Sequence, residues 1–497
     1  MGGRASWFVV GLAILLRLAL FPFADNKHGD APMRALIAER MVIDPASAAQ
    51  PRTYCQFGPL HTTLMRPFIA LDRDAARSSR YLSLLAGIGV FFPFLALARR
   101  LVGRARAPLA ALALAVSPLH LQASTTAASE ALYLLLWVAA LERLLAALER
   151  NRLRTFVVAG LLASLAAVTR YDAWLALPLV AVAAALLWSG GPATDGAARS
   201  WRHLPIAGLA LFSGAAAVFP VAWLIFSARA GGDALFFAHY ISADHAGLAA
   251  TALARYGPVL GRLRQIGVWA LAFCAAMTPP AAFLAVAGLA RGPGWRGLPA
   301  PMRLVVVAAL GPPAIYILQG LVLQSFEPLP RFALVPGALL LPLAVAGVPA
   351  ASARRLGISC AASAAALSIV LWTVAVAGRD RIWPGPESMG ALTRLDREDR
   401  ALAAHLRAHR PPGAPVMIQP FAFADIGIEQ AAGVPWTEAV SLISTRTPQA
   451  TVAETMRATG ARIIAGYDQP GGWPRTLPDW PKDDLRFGRW RVVTAGD

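Results

Sequence analysis

The sequence has little charge for its length: 15% of its 497 residues are charged, against 57% that are hydrophobic. A mean hydropathy of +0.53 excludes an ordinary soluble protein and predicts a polytopic α-helical membrane protein. Cysteine is scarce as well, and Cys55, Cys274 and Cys360 lie far apart. We therefore expect no disulfide framework and no cysteine-rich metal site.

Lysine is almost missing, since Lys27 and Lys482 are the only two, and arginine carries the formal net charge of +18. Such a charge would suit a nucleic-acid partner. Most arginines, however, fall in short loops between apolar runs, as membrane topology requires, so we predict no nucleic-acid partner. The loops predicted to face the cytoplasm hold Arg99, Arg100, Arg104, Arg106, Arg150, Arg152, Arg154, Arg199, Arg202, Arg291, Arg296, Arg303, Arg354 and Arg355.

Apolar runs long enough to cross a bilayer recur along the chain and predict about eleven transmembrane helices. The first is expected to stay uncleaved, because no small-residue cleavage site follows it. With the N-terminus inside, the arginine-rich loops place the C-terminus outside. The predicted spans are about 6–23, 80–98, 106–124, 129–148, 155–170, 173–189, 204–228, 265–290, 303–324, 332–350 and 356–378.

Residues of varied chemistry concentrate in the segments predicted to lie outside the cytoplasm. These are a first outer loop, 24–79, a second outer loop, 229–264, and everything after about Arg379. We divide the chain into a transmembrane domain, 1–379, and a small extracytoplasmic α/β domain, 380–497.

The predicted α/β domain alternates helical and extended patterns. A charged helix is expected over 394–410, followed by a buried strand at Val416–Ile418. A second helix over 452–459 and a second strand over 462–466 complete the pattern.

A cluster of polar side chains follows the first apolar run directly: Asp25-Asn26-Lys27-His28-Gly29-Asp30. Gly29 permits a tight turn, and Asp30 is the best candidate for a carboxylate that accepts a proton from a hydroxyl nucleophile. Asp25 is its neighbour, and either could act as base while the other orients a substrate or holds a cation. The alternative is an ordinary solvated loop at the end of a helix.

Three further charged residues stand where predicted spans meet the outer face. Glu130 could line a site, or could simply suit a helix N-terminus capped by Ser129. Arg170 could bind an anion, or could pair with Asp172 in a tight turn. Arg331 could clamp a phosphate through two hydrogen bonds, or could extend to lipid headgroups.

Two other polar features are interpreted as structural. Arg17 lies inside the first span, where it needs a carboxylate partner or a headgroup. His239, Asp244 and His245 could ligate a metal, but their spacing fits no zinc signature, so a solvated loop is the preferred interpretation. We predict no metal site.

In order and sidedness, these residues resemble the GT-C fold of membrane glycosyltransferases. The shared features are an aspartate-rich outer loop after the first span, a Ser-Glu pair opening a later span, and an outer arginine entering a late span as Arg331-Phe332-Ala333-Leu334-Val335-Pro336. The resemblance covers roughly residues 1–350. It is strongest to the bacterial branch related to protein O-mannosyltransferases and the aminoarabinose transferase of lipid A.

The resemblance implies an enzyme of the bacterial cytoplasmic membrane that acts on the periplasmic or extracellular side. Such enzymes transfer a sugar, with inversion, from a polyprenyl-phosphate-linked donor to a lipid, glycan or protein acceptor. It implies Asp30 as general base with Asp25 as the second choice, and Glu130 as a second acid of the site.

For the phosphate of the donor, the resemblance implies a set of cationic side chains: Lys27, His28, Arg170 and Arg331. Some relatives bind a divalent cation, although no ligand set is apparent here. The sequence departs from the family after Asp30, where Ala31-Pro32-Met33 stands in place of an acid and a tyrosine.

Two other functions remain open from the sequence. A transporter or flippase of lipid-linked sugar would show matching broken helices in two halves, and no such pairing is visible. A membrane scaffold would not need acids and arginines gathered on one side.

Overall fold

A computed structural model describes most of the chain. The described residues are 2–27, 29–72, 74–189, 204–291, 294–346, 348, 352–376, 390–393, 395–419, 424–440, 458–467 and 483–494. His28, and most of the helix predicted over 452–459, lie outside them.

The described part of the chain is dominated by helices, as the hydrophobic composition predicts. They are α1 Gly2–Leu20, α2 Ala31–Ile43, α3 Pro59–Leu71, α4 Ala75–Ser78, α5 Tyr81–Gly89, α6 Phe91–Val116, α7 Pro118–Thr125, α8 Glu130–Arg150, α9 Leu153–Thr169, α10 Asp172–Ser189, α11 Leu204–Gly231, α12 Phe236–Met277, α13 Pro279–Arg291, α14 Gly294–Gly297, α15 Ala300–Leu318, α16 Leu334–Ala346, α17 Ala353–Val376, α18 Arg397–His409 and α19 Ala424–Ala432.

Within the described residues, six helical stretches are long and apolar enough to cross a membrane. Five shorter apolar helices accompany them. The prediction of a polytopic helical membrane protein is confirmed, while the number of eleven spans stays a prediction. The six long stretches are Gly3–Phe23, Ala75–Val116, Glu130–Arg150, Ile206–Gly231, Phe236–Met277 and Ala300–Leu323.

Two predicted boundaries differ from the observed helices. The loop predicted between spans 80–98 and 106–124 lies inside α6, which is interrupted only where Gly103 takes a positive φ of 79°. The second outer loop, predicted over 229–264, is largely helical, since α12 begins at Phe236 and bends at Gly257. The polar residues of this segment hid its helical continuity from a search for apolar runs.

Small residues bring the membrane helices close together. α9 presents Ala159, Ala163 and Ala166, all fully buried, along one side. A Cβ added at Gly160 would lie 2.4 Å from the backbone oxygen of Phe212 in α11. Such contacts allow backbones to approach and stabilise helix pairs in lipid through dispersion.

Arg17 is fully buried in α1 and has neither of its expected partners. Its Nη2 lies 2.7 Å from His120 Nδ1, and its Nη1 donates to Ala13 O at 2.9 Å. Its Nε donates to Ser124 Oγ at 3.3 Å. A neutral histidine, a hydroxyl and a carbonyl satisfy this guanidinium, so the structural interpretation holds although the predicted carboxylate or headgroup is replaced.

The first outer loop contains the helix α2. It is buried on most sides rather than half exposed, and Ala35, Ala38 and Met41 are fully enclosed. Met65 and Ile69 of α3 pack in the same cluster as Ala35 and Ala38. On another side α2 meets α19, where Gln430 Nε2 donates to Pro32 O at 3.1 Å.

The C-terminal region, defined here as 390–494, forms a four-stranded sheet flanked by α18 and α19. The strands are β1 Val416–Ile418, β2 Ile463–Tyr467, β3 Asp483–Phe487 and β4 Trp490–Thr494, in the order β1-β2-β4-β3.

In this sheet β1 pairs with β2 in parallel, and the other two pairings are antiparallel. A helix over 394–410 and strands at Val416–Ile418 and 462–466 were predicted near these positions. The helix α19 and the β3–β4 hairpin were not, because charged and aromatic residues interrupt their apolar periodicity.

Candidate active site

Asp30 lies at a sharp turn in the segment that connects α1 to α2. Gly29 supplies the turn with a positive φ of 62°, a conformation that glycine adopts without a steric cost. Asp30 immediately precedes α2, but its side chain makes no capping hydrogen bond. The carboxylate is therefore available for other partners.

Those partners are two guanidiniums. Asp30 Oδ1 lies 3.0 Å from Arg331 Nη2, and Asp30 Oδ2 lies 3.8 Å from Arg34 Nη2. Burial raises the pKa of Asp30, but the positive charges of Arg331, Arg34 and Arg170 outweigh burial and hold it below its ordinary value. Asp30 is therefore ionised at neutral pH and able to accept a proton.

Glu130 opens α8 and bonds to the same group of arginines. Its Oε1 accepts from Arg170 Nη1 and lies 3.8 Å from Arg331 Nε. Ser129 makes no side-chain cap and instead lies 3.4 Å from Arg170 Nη1 through its Oγ. The expected cap by Ser129 is therefore wrong, although Glu130 does stand in the first turn of α8, where a negative charge suits the helix N-terminus.

Arg170 connects Glu130 to a third carboxylate. Its Nε donates to Asp172 Oδ2 at 2.7 Å, and Tyr316 OH donates to Asp172 Oδ1 at 2.6 Å. Of the two alternatives given for Arg170, the pair with Asp172 is therefore present, while the anion-binding role stays a prediction. Burial alone would lower the pKa of Arg170. The negative charges of Asp172, Glu130 and Asp30 have the larger effect and raise this pKa above its ordinary value, so the guanidinium stays charged.

Six charged side chains therefore form one alternating series: Arg34, Asp30, Arg331, Glu130, Arg170 and Asp172. The exposed fraction of their side chains ranges from 4% to 17%. Three positive and three negative charges balance, which is how a protein tolerates such groups away from water.

Five members of the series, all except Glu130, line one wall of a cavity of about 390 Å³. Aromatic rings supply much of the remaining wall: Phe57, Tyr171, Trp174, Phe237, Tyr316, Phe326 and Phe332. The rings are ordered by stacking, with Tyr316 and Phe326 4.6 Å apart and Tyr171 and Phe237 4.2 Å apart. A cavity of this size and mixed character is typical of a small-molecule site.

Asp25 and Lys27 are placed elsewhere. Asp25 Oδ2 accepts from Leu395 N at 2.9 Å, and the ammonium of Lys27 pairs with Asp396. Both residues were predicted for the site, but their partners belong to the C-terminal region and neither residue lines the cavity. The pairing follows from residues almost four hundred positions later in the chain, which no local pattern reveals.

No group of three potential metal ligands occurs among the described residues. His239 pairs with Asp233 on the surface. His245 lies in the cavity wall with its ring 4.3 Å from that of Phe326. The predicted solvated loop is therefore only partly right, since His245 packs inside.

Arg34 is a site residue that the sequence analysis missed. It follows Asp30 by four positions in a helix, a spacing that places two side chains on one face, so the signal was available. Arg34 also lies over the ring of Phe57 at 4.3 Å. Tyr316 and Phe326 had no such signal, because they come from distant apolar segments.

Comparison with known proteins places this geometry in a wider context. A model of the family described as dolichyl-phosphate-mannose-protein mannosyltransferase matches residues 56–223. A search of curated proteins by sequence finds no match.

Among solved structures, ArnT from Cupriavidus metallidurans bound to undecaprenyl phosphate has a TM-score of 0.62 at 15% identity, covering 99% of this chain and 98% of that one. The Archaeoglobus fulgidus oligosaccharyltransferase in complex with Zn and sulfate gives 0.55 at 14% identity, covering 93% and 67%. Archaeal AglB from the same organism, in complex with an inhibitory peptide and a dolichol-phosphate, gives 0.54 at 12%, covering 93% and 69%.

These likenesses agree with the long apolar helices and support an integral membrane protein. The chain therefore has the fold of the GT-C membrane glycosyltransferases, and over residues 56–223 it is similar in sequence to the dolichyl-phosphate-mannose-protein mannosyltransferases.

Proposed function

We propose that this protein transfers a sugar from a polyprenyl-phosphate-linked donor to an acceptor hydroxyl on the extracytoplasmic face of the membrane, with Asp30 as general base. One observation carries the proposal. An ionised aspartate and three arginines meet at the wall of one cavity among aromatic rings. A phosphate leaving group and a hydroxyl nucleophile require this combination of base and positive charge.

The reaction is a single displacement. The acceptor oxygen bonds to the anomeric carbon while the bond from that carbon to the phosphate oxygen breaks, and the configuration inverts. The hydroxyl proton passes to Asp30. The electron pair leaves with the polyprenyl phosphate, whose growing negative charge the arginines stabilise.

Arg34 is the guanidinium best suited to hold that phosphate. Arg170 is occupied by two carboxylates, and Arg331 lies 3.0 Å from Asp30. Among the described residues, Arg34 Nη1 has no hydrogen-bond partner, although it is buried. A buried donor in that state favours binding of an oxygen-rich anion, because an unmade hydrogen bond costs about 1–3 kcal/mol.

An apolar groove accounts for the lipid part of the donor. It has a volume of about 340 Å³ and runs between α10 and α11, and Trp174 lines both the groove and the cavity. Its wall contains Leu177, Pro178, Ala181 and Phe212. Because a prenyl chain would enter this groove from lipid and not from water, close packing against these side chains would be what favours its binding there.

The test is transfer in proteoliposomes from undecaprenyl phosphate carrying tritiated mannose, chosen after the matching family, with an extract of envelope lipid, glycan and protein as acceptors. Wild type should form labelled product of inverted configuration, and Asp30→Asn should not. If neither protein transfers label but labelled lipid crosses the bilayer only when protein is present, the transporter replaces this proposal.

A further inference from the structure

The C-terminal region bonds to the first outer loop through Asp25. Asp25 N donates to Thr393 O at 2.8 Å, and Thr393 Oγ1 donates to Asp25 O at 3.0 Å. Leu395 N donates to Asp25 Oδ2 at 2.9 Å. The main chain and the side chain of one residue are thus both engaged by a distant part of the chain.

A second connection runs through Lys27. Its ammonium pairs with Asp396, and Asp396 Oδ2 lies 3.0 Å from Arg489 Nη2. Arg489 in turn donates to Asp399 at 2.7 Å, and the indole of Trp490 also donates to Asp399 at 2.7 Å. Because Trp490 is fully buried, this series ends in the core of the C-terminal region.

Asn26, between these two residues, is held from both sides. A Cβ added at Gly427 of α19 would lie 2.7 Å from Asn26 O, so only glycine permits the contact. On the other side Asn26 Oδ1 accepts from Ala127 N at 2.8 Å, and its Nδ2 donates to Ser79 Oγ at 3.0 Å. Ala127 stands just before the helix that carries Glu130.

These contacts lie a few residues from Asp30. Thr393 of the C-terminal region and Asp30 also line the same small cavity, of about 40 Å³, together with Glu130 and Arg331. Small errors in the position of a catalytic group are costly, since a displacement of about 1 Å can lower a rate about a hundredfold. The contacts of Asp25 are therefore placed to determine where Asp30 stands.

We infer that Asp25 is a positioning residue, not a second base, and that it joins the first outer loop to the C-terminal region so that Asp30 is held against Arg331. This inference rests on the proposed function. In this role the Asp25 carboxylate accepts a hydrogen bond from Leu395 N and takes part in no proton transfer.

Two substitutions at one position separate the roles. Asp25→Asn keeps an oxygen that can accept from Leu395 N but cannot act as a base, whereas Asp25→Ala removes the acceptor. We expect Asn to transfer tritiated mannose within about twofold of wild type, and Ala to lose about tenfold in kcat with little change in KM for donor. A loss with Asn as large as that of Asp30→Asn would overturn the inference.

A second readout does not depend on transfer. Hydrogen exchange of peptides covering 24–33 should be faster in Asp25→Ala than in wild type, and unchanged in Asp25→Asn. If the wild type transfers nothing but this exchange pattern appears, the proposed function fails while the anchoring stands. Unchanged exchange in Asp25→Ala would contradict the anchoring itself.

Lys27→Met gives an independent variant in case Asp25→Ala does not fold. It removes the ammonium that pairs with Asp396 and should raise exchange over 24–33 and lower kcat severalfold. The matched control is Glu438→Gln, which breaks the Arg410–Glu438 pair inside the C-terminal region and leaves the bonds of Asp25 and Lys27 in place. Equal effects of Lys27→Met and Glu438→Gln would overturn a specific role for the loop contact.

Discussion

Two aspartates five residues apart in one loop have opposite surroundings. The carboxylate of Asp25 accepts a hydrogen bond from the backbone amide of Leu395 in the C-terminal region, whereas Asp30 faces arginines at a cavity wall. Both follow the same helix end, and their sequence neighbourhoods are similarly polar. The partners that distinguish them, Leu395 and Arg331, come from separate and distant parts of the chain.

The difference shows which kind of bond marks a chemical role. The amide of Leu395 donates to the Asp25 carboxylate and holds it against the C-terminal region, which fits the positioning role inferred above. Guanidiniums at a cavity wall keep Asp30 ionised beside space that a substrate can occupy. In the proposed reaction the arginines also supply the positive charge that stabilises the phosphate leaving group.

The strongest test on the Asp30 side, apart from the base itself, is Arg34→Gln. It removes the guanidinium assigned to the donor phosphate, and a charge-assisted hydrogen bond of about 1.5–3 kcal/mol predicts a loss of about thirtyfold in kcat/KM for donor. Steady-state transfer kinetics measure it. Arg40→Gln is the matched control. Arg40 is on the same helix as Arg34, but its guanidinium lies over the ring of Trp436 and away from the cavity.

A further test concerns the prenyl chain of the donor, which is proposed to lie in the groove between α10 and α11. Ala181→Phe should fill part of it and raise KM about tenfold for an undecaprenyl donor, while a donor with a ten-carbon prenyl chain should be unaffected. Val182→Phe, beside it but 58% exposed toward the lipid-facing surface, is the control. Equal KM changes for long and short donors would show that the groove does not hold the chain.

Arg331→Gln tests how the ion pair between Arg331 and Asp30 sets the pKa of Asp30. Asp30 must be ionised to act, and its pKa lies below the ordinary value, so wild type should lose activity from this group only at acidic pH. Removing a neighbouring guanidinium weakens the attraction and lets burial raise the pKa. The acid limb of the pH–rate profile should move upward by about one unit, whereas an unmoved limb would exclude Asp30 as the group that titrates.

The smallest expected effect concerns Glu39, on α2 beside the C-terminal region. Burial raises its pKa to about 7, while the backbone of Trp436 opposes the rise. The folded state therefore keeps a proton that the unfolded chain releases near pH 4.3, so stability falls as pH rises from about 4.3 to 7.

Glu39→Gln should remove that dependence and raise Tm at pH 8 by about 1–2 °C, as measured by thermal unfolding in detergent. At pH 4 it should have no such effect. A variant whose Tm follows wild type at both pH values would contradict the burial argument.

Much of the site could be predicted because its signals were local. Asp30 after a glycine, Glu130 at a helix start and Arg331 at a late helix entrance all stand at the same predicted side, and the structure brings them together. The partners of Asp25 and Lys27 could not be predicted, because they lie in the C-terminal region, far away in the sequence.

The helical character of the fold could also be predicted from local sequence, because long apolar runs indicate membrane helices. The extent of α12 could not be predicted in this way, because its polar residues interrupt the apolar run while the backbone remains helical. The aromatic wall of the cavity could not be predicted either. Phe57, Tyr316 and Phe326 are ordinary apolar residues until the fold joins them.

The most direct measurement compares the two aspartates in one preparation: the transfer rate of Asp30→Asn beside that of Asp25→Asn, at saturating donor. The two substitutions remove the same charge from the same loop and preserve shape. We predict a rate for Asp30→Asn at least about a hundredfold below that of Asp25→Asn, since loss of a general base costs about 10²–10⁴-fold. Equal rates, or a slower Asp25→Asn, would contradict the assignment of Asp30 as the base.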